Sequence, residues 1–313
     1  MTRGGRVKVL YIAGLGRSGS TILSNSLGQI DGFFSTGEMN FVWKHALLEN
    51  RLCGCGRPLR ECPVWRAVFE RAFGGMDRVD ARAVMASMHA GARTRHVPKM
   101  LTERGRRDLR KRVPLFLEHA ERLYRAVTEA TGERVIVDSS KEPAYGYAVG
   151  MIPSVDLYVL HLVRDPRAAA YSWIRQKEQP DSAEREFMHQ KSARDSALLW
   201  DAWNVSAEAL WRGAPQRYLR LRYEDFVSDP RGSFRKVLAF IREPDAGLPL
   251  IGRDEVRLGV THTVSGNPNR FETGSVKLRR DDRWKDGMSR SDRTTVTALA
   301  APLLLRYGYP LGG

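Results

Sequence analysis

The stretch Val7-Lys8-Val9-Leu10-Tyr11-Ile12-Ala13-Gly14-Leu15-Gly16-Arg17-Ser18-Gly19-Ser20-Thr21 decides the fold. Its first half, Val7–Ala13, is a mostly apolar run that predicts a buried strand. The glycine-rich half predicts a turn that leads into a helix over about Thr21–Gln29. Backbone amides in such a turn, at the start of a helix, form a binding site for anions. The stretch therefore predicts a phosphate-binding loop directly after a strand.

Three more apolar runs predict buried strands: Val135–Val137 (ending at Asp138), Val155–Val163 and Tyr218–Leu221. Near-continuous apolar runs are typical of parallel strands that are covered on both faces. Helical stretches separate these runs, and two helix starts are marked by Asp165-Pro166 and Asp229-Pro230. A last helix is predicted from about Arg290 to Tyr307. We predict an α/β fold, in which helices flank a central parallel sheet as a three-layer sandwich of the P-loop NTPase type.

The region from about residue 64 to residue 131 has only helical patterns and a basic stretch. We interpret it as a helical insertion beside the sheet, within a single domain over residues 1–313, and expect it to shape the acceptor side of the site. The basic residues of the stretch are Arg104, Arg106, Arg107, Arg110, Lys111 and Arg112. They suit an anionic acceptor or peripheral contact with a membrane surface.

The composition gives a net charge of +15, which attracts anions such as nucleic acid, a membrane surface or a highly charged small substrate. No nucleic-acid-binding module is visible, so a non-enzymatic nucleic-acid binder remains only an alternative. No stretch approaches the roughly 20 apolar residues that span a bilayer. The apolar run near the start is short and contains Lys8, which is unlike a secretory signal. We expect a cytoplasmic protein and leave its oligomeric state open.

Three cysteines, Cys53, Cys55 and Cys62, lie in one short segment. An odd number argues against a secreted disulfide framework. Three thiols so close together can hold zinc if a histidine such as His45 supplies the fourth ligand, can form one local disulfide, or can stay reduced. Because no second pair of ligands and no clear fourth ligand is visible, we predict a structural turn without a metal.

The phosphate loop differs from the ATP and GTP loop G-x-x-x-x-G-K-[ST] at one decisive position. Gly14, Gly19 and Thr21 fit that pattern, but Ser20 occupies the position of its lysine. The cation is instead Arg17, which precedes the second glycine. The loss of the lysine weakens the interpretation as a P-loop kinase or NTPase, which we keep as an alternative.

A second anion site is predicted directly after the predicted strand Val155–Val163. Arg164 lies at the carboxyl end of the strand, and Ser172 lies two turns along the following helix, on a face that can look back toward Arg164. Together they can form a charge-assisted phosphate site. Asp165 is expected to cap the helix rather than to act in catalysis.

These segments resemble the nucleotide-binding motifs of the PAPS-dependent sulfotransferases, where PAPS is 3′-phosphoadenosine 5′-phosphosulfate. Gly-Arg-Ser-Gly-Ser-Thr at residues 16–21 resembles the 5′-phosphosulfate loop, in the form found in the carbohydrate and tyrosyl-protein branch. Arg164 and Ser172 resemble the 3′-phosphate motif, and Tyr223 is in a segment whose tyrosine lies near the adenine. The late segment resembles the basic loop that closes over the 3′-phosphate. The residues that the resemblance assigns to PAPS are Gly16, Arg17, Ser18, Gly19, Ser20, Thr21, Arg164, Ser172, Tyr223, Ser265, Arg270 and Lys277, with Lys285 as a weaker candidate.

The same resemblance implies transfer of a sulfuryl group to a hydroxyl of a carbohydrate, lipid or small natural product. Glu38, which follows a short strand-like step at Phe33-Phe34, matches the position of a glutamate base. Lys141, after the second predicted strand, matches a lysine that contacts the transferred group. We predict in-line attack with Glu38 as the base and with Arg17 and Lys141 stabilising the transition state. Since cations neutralise the charge, no metal is required.

Overall fold

The computed structural model of the protein describes residues 5–182, 186–245 and 247–312. The strands of its central sheet are β1 Val7–Ala13, β2 Phe33–Gly37, β3 Val135–Lys141, β4 Val155–Val163 and β7 Tyr218–Arg222. Two short hairpins lie outside this sheet; their strands are β5 Glu178–Gln179, β6 Glu186–Phe187, β8 Glu255–Leu258 and β9 Gly274–Lys277.

The helices follow the predicted alternation with the strands. They are α1 Ser20–Leu27, α2 Pro63–Phe73, α3 Ala81–Gly91, α4 Val97–Met100, α5 Glu103–Arg112, α6 Pro114–Thr131, α7 Pro143–Gly150, α8 Pro166–Ile174, α9 Ala193–Trp211, α10 Tyr223–Ser228, α11 Pro230–Ile241, α12 Trp284–Gly287 and α13 Arg290–Arg306. A π-helical turn covers Trp43–Leu48. Within the described residues no helix is long and apolar enough to cross a membrane.

The central sheet is parallel, with the strand order β2-β3-β1-β4-β7. Alternate residues of β1 enter different cores: Val9 and Tyr11 pack on one face, while Leu10 and Ile12 pack on the other. Helices cover both cores, which confirms the predicted three-layer α/β sandwich. The strands β1 and β4 have the predicted bounds, β3 runs on to Lys141, and β2 extends the predicted Phe33-Phe34 step.

The carboxyl ends of the five strands meet at one edge of the sheet, which positions the site. In the strand register, Gly37 lies opposite Asp138 and Ala13 lies opposite Lys141. Val163, the last residue of β4, pairs with Arg222, the last residue of β7. The segments that follow β1, β2, β3, β4 and β7 therefore start side by side.

The buried His161 in β4 ties the sheet to α9 through two hydrogen bonds. Its Nε2 donates to Asn204 Oδ1 at 2.7 Å, and its Nδ1 accepts from the Tyr218 hydroxyl at 2.7 Å. This pattern holds the ring in a neutral form. Burial lowers the pKa of His161 to about 4, and the hydrogen bond to Asn204 opposes that shift while the nearby Arg220 charge adds to it.

We expect His161 to make the fold acid-sensitive. The unfolded chain protonates this residue below its ordinary pKa of about 6.5, whereas the folded protein resists until about pH 4. The contribution of neutral His161 to the free energy of unfolding is therefore fully present above about pH 6.5 and is lost as the pH falls toward 4. This contribution decreases by about 2 kcal/mol between pH 7 and pH 5. Urea unfolding at both pH values should show that loss in wild type and a smaller loss in His161→Gln. Equal losses of stability in the two proteins would contradict this role of His161. The pKa of His45 is also lowered to about 4, but His45 is present in both proteins and adds the same loss to each.

Candidate active site

The loop after β1 bends sharply into α1 at a glycine. Gly19 has φ +85° and precedes the first residue of α1. A Cβ added at Gly19 would lie 2.4 Å from ring atoms of Tyr223, so the loop packs against that ring with no room for a side chain. Gly19, Ser20 and Thr21, at this helix start, line a cavity. Because backbone amides at a helix start favour anions, the anion-binding loop stays the prediction for this segment.

Arg17 lies between two cavities. Its guanidinium lies 4.8 Å from the centre of the Trp173 ring, and Trp173 Nε1 donates to the Gly16 carbonyl at 3.2 Å. Burial lowers the pKa of Arg17, and the attraction of Glu38 partly opposes that shift. Trp173 therefore fixes the cation at the end of the loop, facing Glu38.

The first cavity, here called the arginine cavity, has a volume of about 630 Å³. Its lining includes five cationic side chains and one carboxylate: Arg17, Arg164, Arg175, Lys177, Arg283 and Asp281. The pKa of Lys177 is lowered by burial first and then by repulsion from Arg17. This excess of positive charge in a concave surface is suited to a ligand with several negative charges.

Arg164 is held rigidly in the arginine cavity. Its Nη1 donates to the Arg17 carbonyl at 2.7 Å, its Nη2 donates to Asp281 at 3.1 Å, and its guanidinium lies 4.8 Å from the Tyr223 ring centre. A hydrogen bond from Arg283, with the added charge of Arg164, holds the pKa of Asp281 well below its usual range. Ser172, Gly19, Ser20 and Thr21 line the same cavity.

Asp165 has the structural role that the sequence predicts. Its carboxylate accepts a hydrogen bond from the Arg167 amide at 2.9 Å at the start of α8 and also binds the Arg167 guanidinium. Its own amide donates to Glu224 at 3.1 Å. Asp165 is a helix cap.

The second cavity, here called the Glu38 cavity, has a volume of about 350 Å³. Glu38 and Lys141 form an ion pair in it, with Lys141 Nζ 2.6 Å from Glu38 Oε1. Lys141 ends β3 in a left-handed conformation (φ +68°), and its Nζ also donates to the Ser139 carbonyl at 2.9 Å. The two cavities share four lining residues, which are Arg17, Ser20, Thr21 and Asn267.

The buried carboxylate of Asp138 supports Glu38 and the short helical turn Met39–Phe41 that follows it, here together called the Glu38 turn. Asp138 accepts hydrogen bonds from the Ser140 amide at 2.9 Å and from the Tyr124 hydroxyl, and the Ser140 hydroxyl in turn accepts from the Asn40 amide at 3.0 Å. Burial raises the pKa of Asp138 to about 6, against the effect of these hydrogen bonds. The network links the end of β3 to the residues that follow Glu38.

The helical insertion supports the site without lining it. The lining residues of the arginine cavity and of the Glu38 cavity all lie outside 64–131, and a role of the insertion on the acceptor side stays a prediction. Tyr124 of α6 reaches Asp138, and His119 packs on Phe73 with ring centres 5.3 Å apart. The basic stretch lies instead beside a separate groove with Arg106, Arg107 and Arg110 in its lining.

Arg270 and Lys277, two late basic residues that the resemblance assigns to the nucleotide, pair with carboxylates in the structure. Arg270 is buried. Its terminal nitrogens donate hydrogen bonds to the Thr263 carbonyl at 2.6 Å and to Asp181 at 2.9 Å, so in this arrangement they bind protein groups rather than an anion. Lys277 pairs with Asp254 at 3.4 Å on the hairpin of β8 and β9, and it lines neither cavity. Neither Arg270 nor Lys277 is among the lining residues of the arginine cavity, so their role in nucleotide binding stays a prediction.

Ser265 and Lys285 are likewise not among the lining residues of the arginine cavity. Ser265 lines the Glu38 cavity, where its carbonyl accepts a hydrogen bond from the Glu38 amide at 3.3 Å. Lys285 pairs with Asp282 at 3.6 Å and lines neither cavity. Gly16 lines the Glu38 cavity, and Ser18 is buried within the loop.

Several functional candidates were missed by the sequence analysis. Arg175 and Lys177 directly follow the helix that carries Ser172, so their proximity to a predicted site residue was an available signal. Arg283, Asn267 and Asn269 enter the arginine cavity from the late segment, where no periodic pattern distinguishes them from surface residues.

The chain is similar in sequence to known proteins. The model of the sulfotransferase family matches residues 10–247. Carbohydrate sulfotransferase 3 of Homo sapiens is 26% identical over 174 residues, covering 51% of this chain and 35% of the relative. Carbohydrate sulfotransferase 7 of Mus musculus is 28% identical over 203 residues, covering 51% of this chain and 41% of the relative. The match thus spans well under half the length of these curated relatives.

Solved structures share the fold. The sulfotransferase domain from the curacin biosynthetic pathway aligns with a TM-score of 0.53 at 19% identity, covering 99% of this chain and 100% of that chain. The sulfotransferase domain from the Synechococcus PCC 7002 olefin synthase aligns with a TM-score of 0.54 at 19% identity, covering 99% and 98%.

Proposed function

Because the chain belongs to the sulfotransferase family, we propose that it transfers a sulfuryl group from PAPS to a hydroxyl group of an acceptor. The observation that carries this proposal is the meeting of the two cavities at Arg17, Ser20 and Thr21. One cavity is rich in cations and the other contains a carboxylate next to a lysine. A charged donor and a neutral hydroxyl can therefore approach each other from opposite sides of the loop.

The arginine cavity suits a nucleotide that is charged at both ends. The loop amides and Arg17 would bind the 5′-phosphosulfate, while Arg164 and Ser172 would bind the 3′-phosphate. The buried Ser18 hydroxyl has no hydrogen-bond partner within the described part of the chain, so it is available to an anion on the loop. A volume of about 630 Å³ lies within the range of small-molecule sites.

The Glu38 cavity supplies the groups that the reaction needs. The acceptor oxygen forms a bond to sulfur while the bond from sulfur to the 5′-phosphate oxygen breaks, and the bonding electrons leave with that phosphate. Glu38 takes the acceptor proton. Lys141, 2.6 Å from Glu38, and Arg17 face the position where negative charge develops.

We propose a carbohydrate, lipid or small natural product as the acceptor. The similarity to carbohydrate sulfotransferases favours a sugar hydroxyl. The Glu38 cavity contains the rings of Phe41 and Trp173, which offer flat apolar surface to such an acceptor. Ser20 in place of the NTPase lysine leaves the kinase alternative without its main phosphate contact.

We expect Arg164→Ala to weaken the binding of adenosine 3′,5′-bisphosphate by about 10–100-fold. Hydrogen bonds to charged groups contribute about 1.5–3 kcal/mol, and every 1.4 kcal/mol is tenfold in affinity. Calorimetry without metal measures the effect. Arg235→Ala is the matched control, because Arg235 pairs with Asp245 on the surface at 2.8 Å and its loss changes the net charge equally.

Two results would count against this donor site. Wild type that prefers magnesium-ATP over the bisphosphate would return the kinase alternative to the front. Equal affinities of Arg164→Ala and Arg235→Ala for the bisphosphate would remove Arg164 from the nucleotide site. A thermal melt of each variant shows whether the fold is retained.

A further inference from the structure

The three cysteines converge on a histidine that lies about 200 residues later in the chain. The ligand atoms of Cys53, Cys55, Cys62 and His262 all lie within 4.8 Å of one another. Cys53 and Cys62 are fully buried. His45 was the candidate for a fourth ligand in the sequence, but its ring stacks on Phe41 with ring centres 5.0 Å apart, and it lies outside this group.

The distances between these ligand atoms suit a tetrahedral metal ion. His262 Nδ1 lies 3.3 Å from Cys62 Sγ and 3.9 Å from Cys53 Sγ. A sulfur and a nitrogen ligand at two corners of a zinc tetrahedron, with Zn–S of about 2.3 Å and Zn–N of about 2.0–2.1 Å, are about 3.6 Å apart. The observed separations bracket this value.

We propose that Cys53, Cys55, Cys62 and His262 form a structural zinc site. Three cysteines and one histidine are a ligand set that Zn²⁺ prefers, and four protein ligands leave no position for water or substrate, as in structural sites. A single disulfide would join two of the thiols and would not explain why the third thiol and the imidazole lie beside them. All three cysteines are unbridged in the structure.

The backbone around the ligands is built for close approach. The Gly54 amide donates to the Thr263 carbonyl at 2.9 Å, and a Cβ at Gly54 would lie 2.5 Å from Thr261 Oγ1. Only glycine allows the cysteine loop to lie against residues 261–263. Trp65 Nε1 donates to the His262 carbonyl at 2.7 Å, which fixes the position of that residue.

The zinc site would fasten one wall of the Glu38 cavity. The residues that follow His262 bind the Glu38 turn: the Val264 amide donates to the Thr36 carbonyl at 2.8 Å, and the Ser265 carbonyl accepts from the Glu38 amide. Arg270 links the same segment to the cysteine loop by donating to the Leu52 carbonyl at 2.6 Å. The metal therefore acts as a cross-link between segments that are distant in sequence. This inference does not depend on the proposed reaction.

The test is the metal content of the reduced, full-length protein, followed by substitution with Co²⁺. We expect one equivalent of zinc per chain by elemental analysis. Cobalt should give intense visible bands typical of tetrahedral coordination together with thiolate-to-cobalt charge-transfer bands. Removing the metal with a chelator should lower Tm by about 10 °C, because the metal binds the folded state selectively.

Variants separate the proposed ligands from their neighbours. His262→Ala and Cys62→Ser should lose the metal, while His45→Gln, the matched control, should keep one equivalent. If a ligand variant fails to fold, the cobalt spectrum of wild type still decides. The proposal is overturned if reduced wild type binds no stoichiometric zinc, if bound cobalt lacks thiolate bands, or if mass spectrometry finds a Cys53–Cys62 disulfide in the purified protein.

Discussion

Replacing Glu38 with glutamine should lower kcat by about 10²–10⁴-fold, the range that a general base typically contributes. Glutamine has nearly the same shape but cannot accept the acceptor proton. The side chain lies in the Glu38 cavity, where its lining neighbours include the loop residues Ser20 and Thr21. Sulfated product from labelled PAPS, measured with a panel of sugar, lipid and phenol acceptors, gives the rate.

The matched control for this change is Glu70→Gln, which alters an exposed glutamate on α2. It should leave kcat unchanged. Binding of adenosine 3′,5′-bisphosphate should be nearly the same in Glu38→Gln and wild type, because Glu38 lines only the Glu38 cavity. Near-normal turnover in Glu38→Gln would assign the base to another residue.

Replacing Arg17 with glutamine should lower kcat by about 10²–10³-fold, as does the loss of one preorganised charge-stabilising group in other enzymes. Arg17 lines both cavities, and the Trp173 ring 4.8 Å away holds its guanidinium in place. If the proposed donor site is right, Arg17 stabilises the charge on the leaving phosphate without having to reorganise during the reaction. Single-turnover kinetics with PAPS separates this effect on chemistry from effects on product release.

Arg17→Lys tests whether charge alone is enough. It should recover part of the lost rate, because the ammonium keeps the charge but lacks the planar fork and the stacking on Trp173. For Arg17→Gln, which removes one positive charge, Arg235→Ala is the control for the change in net charge. If Arg17→Gln raised KM and left kcat intact, Arg17 would bind the donor in its ground state only.

The structure confirmed much of the fold that the sequence predicts, because local patterns encode strands and helix starts. The run Val7–Ala13 is long and apolar enough to define a buried strand, and Asp165-Pro166 carries both a cap and a first-turn proline. The phosphate loop is likewise contiguous: its glycines set the backbone, and the order of strand, loop and helix sets its direction.

The late segment shows where sequence patterns fail. Arg270 and Lys277 look like anion-binding residues in the sequence, yet Asp181 and Asp254 neutralise them in the structure. The sequence around a basic residue does not show which acidic residue, distant in the sequence, will pair with it in the folded protein. Arg283, which does line the arginine cavity, has no sequence pattern that distinguishes it from Arg270 and Lys277.

The sequence by itself determined the parallel three-layer fold and the loop with Arg17 in place of a lysine, and it predicted a second anion site at Arg164. Each of these features resides in a contiguous segment whose local chemistry fixes its conformation. Only the tertiary structure decided that Lys141 pairs with Glu38 and that His262, rather than His45, joins the three cysteines. Those residues are brought together by packing of segments about 100 to 200 positions apart, and such long-range contacts follow from burial of the whole core rather than from any local pattern.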